Sequence, residues 1–331
     1  MDLDVLRESR QGGWDRLDAL ARRRIASGEA ADELIERYRA GAADLATIAG
    51  QSAASPLGER LSVSLARARL RFTGAGPDLF SRVPTFFVRQ LPAALYRLRW
   101  LTAVIAAATA LIAAAFALWA NVDPRVMAAI GDPAQLKDLA ENAFTGYYSQ
   151  SPAAAFAGQV WTNNALIAAL CIVCGITGVY PPYVIVQNAM NIGVDGAVLF
   201  SYGRGGVFFQ YIAPHGMLEL TSVFVAAAAG LRIFWAWVAP GARSRAQALA
   251  EDGRALVTVS VGLTLSLLVS GLIEGFVTPS ALPWPVKVGI GALALAAFLC
   301  YMLVLGRRAA EAGDTGDVAE FDAGARRLVA G

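Results

Sequence analysis

The chain has 331 residues, of which 56% are hydrophobic and 16% are charged, and its mean hydropathy is +0.49. Soluble domains average about 45–50% apolar and about 25% charged residues, so this composition excludes a disordered chain and a typical nucleic-acid-binding domain. The net charge of +2 implies no strong field of one sign. His215 is the single histidine, which excludes any site built from several histidines.

The N-terminal third has the composition of a soluble helical segment. Residues 1–99 contain 16 arginines and 12 acidic residues. Apolar residues recur at helical spacing over 3–26 and 31–49, and a third helix fits 57–72. We therefore expect residues 1–80 to form a cytoplasmic helical region.

Residues 81–99 have a different pattern, in which aromatic and aliphatic side chains alternate with arginines and Pro84 and Pro92 interrupt the run. This pattern predicts an amphipathic helix that lies on the cytoplasmic membrane surface. The alternative is an ordinary N-terminal extension of the first membrane span.

Residues 101–120 carry no charge, and 20 apolar residues at about 1.5 Å each span a hydrocarbon core of about 30 Å. Five weaker apolar runs follow. The sequence thus predicts an all-α polytopic membrane protein with about six transmembrane helices over 100–306. The predicted spans are 101–120, 161–180, 183–202, 207–231, 256–278 and 286–306. Tyr180-Pro181-Pro182-Tyr183 leaves little room between the second and third spans, which predicts a tight hairpin or a pair that does not fully cross.

The arginines near the span ends predict the orientation. They precede the first span, separate the fourth from the fifth and follow the sixth, whereas 121–160 has more acidic than basic residues. Positively charged residues favour the cytoplasmic side. We therefore expect both termini in the cytoplasm, an extracytoplasmic 121–160 segment with short helices, and a flexible cytoplasmic tail over 307–331.

Three of the ionisable residues within the predicted spans stand out, because such side chains usually face the protein interior. His215 and Glu219 are four residues apart and share a helix face, and Glu274 falls at a similar predicted depth near the end of the fifth span. Pro214 fixes the backbone before the pair, and Gly216 and Gly275 permit close approach of another helix.

This buried polar cluster has three interpretations. It is a polar clamp between helices, a path for protons or an ion that includes single-metal binding, or a hydrolytic site. His-x-x-x-Glu alone is a weak metal signal, and the His-Glu-x-x-His and Gly-x-Ser-x-Gly motifs are absent. We therefore assign no catalytic residue, no metal and no cofactor.

Asparagines form a second polar set. Asn163 and Asn164 open the second span, and Asn188 and Asn191 lie in the third. Buried amides in hydrocarbon need partners, so these residues predict contacts between helices or the lining of a polar cavity. Arg204 lies in the predicted outer loop, from which it can reach an acidic side chain.

The order of these motifs resembles the stage II sporulation protein M family. The resemblance rests on Trp161-Thr162-Asn163-Asn164, the run from Asn188 to Gly193, Pro214-His215-Gly216-x-x-Glu219-Leu220, and the run from Ile273 to Pro279. It covers about residues 100–305, and the Pro-His-Gly-x-x-Glu-Leu element is its most specific part. The arginine-rich N-terminal third resembles longer members of the family in high-GC, non-sporulating bacteria.

The resemblance implies a multi-pass protein of the bacterial cytoplasmic (inner) membrane. In endospore formers the family member works in a membrane complex that remodels peptidoglycan and anchors cell-wall hydrolases, and other members are encoded beside a MoxR-type ATPase. The resemblance thus implies a scaffold or assembly component with cell-envelope or MoxR-type ATPase-associated protein partners. It marks six motif residues without giving them a chemical role, namely His215, Glu219, Glu274, Asn163, Asn164 and Asn188.

Two alternatives to a scaffold stay open. The first is a transporter, channel or small-molecule binder that uses the His215, Glu219 and Glu274 cluster, and the second is an intramembrane hydrolase. The glycine- and alanine-rich spans favour oligomerisation, and we expect a homodimer in the lipid bilayer.

Overall fold

The computed structural model describes residues 3–22, 27–51, 56–72 and 83–316. Within these ranges the regular elements are all helical and there is no strand, which confirms the predicted all-α class. The chain divides into two compact units, Met1–Pro84 and Thr85–Gly331.

The first unit contains the three predicted helices. They are α1 (Leu3–Arg22), α2 (Gly28–Gln51) and α3 (Pro56–Phe72). Each was predicted within a few residues, because apolar side chains at helical spacing must meet in a common core. Residues 23–26, at the end of the first predicted helix, lie outside the described residues.

The core of this unit is small and apolar. Leu17, Leu34 and Ala68 are fully buried in it. Trp14 donates from Nε1 to Oδ2 of the buried Asp44 at 2.9 Å, so the one charged group of this core has a hydrogen-bond donor. The unit therefore has the core of an independent helical bundle.

The second unit contains six helices that are long and apolar enough to cross a membrane, which confirms the predicted number of spans. These helices are α4 (Val83–Val122), α7 (Ala153–Thr177), α8 (Tyr180–Ser201), α9 (Gly205–Val238), α10 (Arg245–Val277) and α11 (Trp284–Glu311). Several are longer than predicted, because hydropathy marks only the apolar part of a helix whose ends continue through polar residues.

Helix α4 includes most of the predicted surface helix. Residues 83–99 continue into the first span as one helix with no intervening turn, and their first part contains the π-helical turn Phe86–Gln90. The placement of residues 81–99 on the membrane surface stays a prediction, and 81–82 lie outside the described residues.

The junction between α7 and α8 is a tight turn, but it precedes the predicted Tyr180-Pro181-Pro182-Tyr183, which forms the first turn of α8. It consists of a 3-10 turn, Cys174–Thr177, followed by Gly178 with φ of +71°. Glycine adopts this left-handed conformation at little cost. Both helices exceed 20 residues, which at about 1.5 Å per residue is enough to cross the hydrocarbon core.

Glycines set the closest helix crossings of this unit. A Cβ at Gly230 of α9 would lie 2.1 Å from the Cys171 carbonyl oxygen of α7. A Cβ at Gly291 of α11 would lie 2.0 Å from the Pro214 carbonyl oxygen of α9. Around Gly230, α9 is buried on all sides, and Ala226 to Ala229 have no exposed surface. Helix α9 is therefore the central helix of the unit.

The 121–160 segment contains short helices, as predicted. They include α5 (Pro124–Ile130), α6 (Pro133–Asp138) and the 3-10 turn Tyr147–Ser149. Phe144 of this segment packs on Phe208, near the start of α9. The segment thus lies at one end of the helices, which we call the segment end, together with the starts of α7, α9 and α11.

The first residues of the predicted flexible tail make specific contacts. Asp314 accepts a hydrogen bond from Arg89 Nε at 2.9 Å, and the Gly316 carbonyl accepts one from Thr258 Oγ1 at 3.1 Å. Positive φ angles at Gly313 and Gly316 turn this stretch. Residues 317–331 lie outside the described residues.

Candidate functional site

The buried polar cluster begins on α9. His215 and Glu219 are separated by one helical turn, and His215 is only 5% exposed. Pro214 lies inside the helix, where it has no backbone N–H to donate. The Pro214 carbonyl packs against Gly291 of α11. The close helix approach that was predicted at Gly216 therefore occurs at Pro214 instead. At Gly216 a Cβ would meet only Ile212 of the same helix, at 3.1 Å.

The third member comes from the end of α10. There the helix widens into a π-helical turn, Ile273–Val277, which contains Glu274. A Cβ at Gly275 would lie 2.7 Å from the Ala153 carbonyl oxygen of α7, so this glycine allows the close approach that its position predicted. The turn directs the Glu274 carboxylate into the unit, and the residue is 4% exposed.

The structure brings all three residues together. Glu274 Oε1 lies 3.9 Å from His215 Nε2. One ligand atom from each of His215, Glu219 and Glu274 lies within 4.8 Å of the other two. The helical spacing and the depth argument thus located a real cluster, although Glu219 lies one turn further along α9.

Polar residues that the sequence analysis did not select surround the cluster. His215 Nδ1 lies 3.3 Å from Thr278 Oγ1, and Ser270 Oγ lies 3.1 Å from the His215 carbonyl oxygen and 3.4 Å from Glu219 Oε2. Buried Lys287 donates from Nζ to the Thr278 carbonyl at 2.7 Å. Ser270 lies four residues before Glu274 and Thr278 four residues after it. A search for polar residues on one helix face would have found this spacing.

A tyrosine of the 121–160 segment covers the cluster. Tyr148 is buried, and its ring centroid lies 5.9 Å from that of His215 and 5.2 Å from that of Tyr211. Burial raises the pKa of the Tyr148 hydroxyl, and the negative charge of Glu274 adds to this effect. The neutral phenol therefore persists over the physiological pH range.

The predicted asparagines divide into two groups. Asn164 of α7 lies next to the Glu219 carboxylate and so belongs to the cluster. Asn188 donates to the Val184 carbonyl of its own helix at 2.9 Å. Asn163 and Asn191 are exposed on the outside of the unit, near the middle of α7 and α8.

Among the described residues, Arg204 reaches no acidic side chain, in contrast to the prediction. It precedes α9, where its backbone carbonyl accepts hydrogen bonds from Val207 and Phe208. Its buried Nε has no hydrogen-bond partner among the described residues. Asp195 of α8 is a further acidic residue within a span that the sequence analysis did not select.

A second charged cluster lies at the opposite end of the unit. Asp252 of α10 is 3% exposed, and Arg97, Arg232 and Arg243 place a guanidinium nitrogen within 3.8, 3.1 and 3.2 Å of its carboxylate. The sequence analysis used the arginines individually to predict the orientation. Their convergence on one carboxylate depends on the packing of α4, α9 and the turn between α9 and α10. This arrangement is an ion-pair network between helices.

The two clusters differ in charge balance. Asp252 has three cationic neighbours. Among the described residues, His215 is the only basic side chain within 4.0 Å of the Glu274 carboxylate. A carboxylate in hydrocarbon surroundings requires a proton, a cation or several donors. The His215, Glu219 and Glu274 cluster is therefore the part of this helical membrane protein that is equipped to take up a positive charge.

Comparison with known proteins agrees with this fold and site. The family model described as Stage II sporulation protein M matches residues 102–279, more than half of the chain, and this match includes all three residues of the cluster. The chain belongs to this family, which confirms the resemblance found from its motifs. A second model, described as Domain of unknown function (DUF8413), matches residues 4–74. The comparisons with curated proteins and with solved structures found no match.

Proposed function

We propose that this protein is a scaffold of a cell-envelope complex in the bacterial cytoplasmic membrane, with α1 to α3 as a cytoplasmic docking module. The observation that carries the proposal is the two-unit architecture. A three-helix unit with its own core is joined to a membrane unit of six long helices, and different family models match the two parts. Membrane anchorage of a separately folded module is the architecture of an assembly component.

The surface of the three-helix unit supports docking to a protein. Ion pairs such as Arg16 with Glu33, at 2.7 Å, keep charged side chains in fixed positions. Ile35 and Val63 are large apolar side chains that stay exposed beside such charges. Charged groups at the rim of an apolar contact give an interface its orientation and specificity.

The membrane unit supports assembly as well. Asn163 and Asn191 expose amides at mid-span, where lipid offers no hydrogen bond. A helix of a partner protein that bonds to such an amide contributes about 0.6–2 kcal/mol per contact. The proposed protein partners are components of the same envelope complex, including proteins associated with a MoxR-type ATPase.

Genetic complementation tests the proposal. A deletion strain is complemented with the full chain, with residues 81–331, and with the full chain carrying Leu17→Asp, which places a charge in the core of the three-helix unit. We expect the shortened chain and Leu17→Asp to reach normal membrane levels and to leave the envelope defect uncorrected. The control Ser62→Asn changes an exposed residue of α3 and restores growth.

Full complementation by residues 81–331 at native expression level would contradict the docking role. In that case the membrane unit alone would account for the activity of the protein.

A further inference from the structure

The inference concerns the geometry of His215, Glu219 and Glu274. One imidazole nitrogen and two carboxylate oxygens from α9 and α10 lie within 4.8 Å of one another. Three ligand atoms that lie about 2.0–2.2 Å from one tetrahedral ion are about 3.3–3.6 Å apart. Small changes in side-chain torsions therefore suffice to bring the three atoms around one metal ion.

The orientation of the His215 ring fits this arrangement. Thr278 Oγ1 lies 3.3 Å from the Ile273 carbonyl, to which it donates, and 3.3 Å from His215 Nδ1. In the tautomer that carries its proton on Nδ1, the lone pair of Nε2 faces Glu274 Oε1 at 3.9 Å. Metal-binding histidines are typically oriented by such a hydrogen bond from the other ring nitrogen.

The Glu274 carboxylate supplies a second, independent observation. Glu274 is 4% exposed, and among the described residues no hydrogen-bond donor reaches its carboxylate. His215 Nε2 lies 3.9 Å from Glu274 Oε1, which is too far for a hydrogen bond. A buried acidic group without a hydrogen-bond donor needs a proton or a cation beside it.

Glu219 completes the set with its own supporting contacts. Ser270 Oγ donates a hydrogen bond to Glu219 Oε2 at 3.4 Å, and Asn164 of α7 lies next to the same carboxylate. Hydrogen bonds to a ligating carboxylate hold it in position and are typical of metal sites. His215 and Glu219 are on α9 and Glu274 is on α10, and α7 contributes Asn164. Helices rather than a loop therefore hold all three side chains.

We propose that His215, Glu219 and Glu274 bind one divalent transition-metal cation at the segment end of the membrane unit. Imidazole suits zinc and iron, carboxylates suit manganese, and a mixed set of this kind accepts ions of either preference. Two carboxylates balance the charge of one divalent ion. The three protein ligands leave a coordination position free for water or another ligand.

Metal analysis of the full-length protein tests the site. The chain is purified without a histidine tag in lipid nanodiscs, treated with a chelator, dialysed against micromolar Zn²⁺ or Mn²⁺, and analysed for metal per chain. We expect about one equivalent of at least one of these ions, and a higher melting temperature when it is bound. The absence of stoichiometric binding with both ions would overturn the proposal.

Three variants locate the ion. Glu274→Gln and Glu219→Gln each remove one ligand charge at nearly constant size, and we expect at least tenfold weaker binding. Thr278→Val keeps all three ligands but frees the His215 ring, and loss of such an orienting contact weakens metal affinity about 10–100-fold. A structural role of Thr278 alone would change the melting temperature and leave the affinity unchanged.

Asp195→Asn is the matched control, because Asp195 is a membrane acid outside the cluster. We expect its affinity for the metal to stay within twofold of the wild type. Equal loss in Asp195→Asn and Glu274→Gln would place the ion elsewhere and contradict the site. The wild-type stoichiometry decides the question even where a variant does not fold.

Discussion

At the scale of single residues, the two buried charged clusters of the membrane unit differ in how their carboxylates are neutralised. Asp252 is surrounded by Arg97, Arg232 and Arg243, whereas the Glu274 carboxylate faces only the His215 imidazole. The first arrangement is complete within the protein, and the second requires a proton or a cation. This difference assigns a structural role to the Asp252 network.

The Asp252 network gives a stability prediction. Asp252→Asn removes the common partner of three guanidinium groups, and breaking a buried charge pair costs about 3–5 kcal/mol. The arginine side chains are each about one-third exposed, so solvent screening reduces the expected loss to about 2–3 kcal/mol. Thermal or denaturant unfolding of the detergent-solubilised protein measures it.

Glu141→Gln is the control for this substitution, because it removes an acidic group that is exposed and has no ion pair among the described residues. Its stability should match that of the wild type. An equal loss in both variants would show that Asp252 has no special structural role.

The residues of the site were predictable to different degrees. His215, Glu219 and Glu274 stood out because charges are rare in apolar runs. Thr278 and Ser270 did not, because hydroxyl groups in membrane helices commonly bond to their own backbone and so give no distinct signal. Contacts such as that of Lys287 with the Thr278 carbonyl depend on a turn between two helices, which a sequence pattern does not describe.

At the scale of the helices, the glycines that predicted oligomerisation serve crossings within the chain. Gly193, Gly230 and Gly291 each lie against the backbone of another helix of the same unit. The small-residue faces at these positions are therefore occupied, and they no longer argue for a homodimer. The exposed amides of Asn163 and Asn191 are the better candidates for contacts with another chain.

Two glycines of α11 give a matched test of this packing. A Cβ at Gly291 would lie 2.0 Å from the Pro214 carbonyl oxygen, whereas one at Gly289 would have no heavy atom within 4 Å. Gly291→Ala should lower the free energy of unfolding by about 1–3 kcal/mol through overpacking. Gly289→Ala should leave it unchanged or raise it by up to about 1 kcal/mol through helix propensity.

Melting temperatures of the two purified variants check this prediction. Similar stability of Gly291→Ala and Gly289→Ala would contradict the close contact between α9 and α11.

The three-helix unit should lose stability in acid. The hydrogen bond from Arg22, with further contacts from Ser64 and Arg67, lowers the pKa of Asp18 below its usual value. A carboxylate whose pKa is depressed by folding stabilises the native state above its unfolded pKa of about 3.9, and this contribution is lost as the pH falls through the folded pKa. Stability should therefore decrease as the pH is lowered through this range.

Circular dichroism melts of residues 1–84 at several pH values measure this effect. Asp18→Asn should reduce the pH dependence, and Asp32→Asn, at an exposed position of α2, should leave it nearly unchanged. Identical pH profiles for the wild type and Asp18→Asn would exclude a contribution of these contacts to acid sensitivity.

At the scale of the whole molecule, the sequence predicted the class, the six spans and the three N-terminal helices, because each follows from local hydrophobic periodicity. The polar composition of the tail gave no sign that Arg89 and Thr258 would contact Asp314 and Gly316. The flexibility of the tail stays a prediction. The orientation of the termini and the cytoplasmic location of α1 to α3 stay predictions.

The central claim is that a membrane-anchored three-helix unit docks a protein of the cell envelope. Site-specific photo-crosslinking in living cells tests it most directly, with a crosslinking residue placed in the full chain at an exposed position of each helix, namely Glu8, Glu36 and Ser62. We expect a crosslinked protein of discrete mass from at least one position, and its loss when Leu17→Asp disrupts the core of the unit. No protein adduct at any of the three positions, with the chain present at native level in the membrane, would contradict the claim.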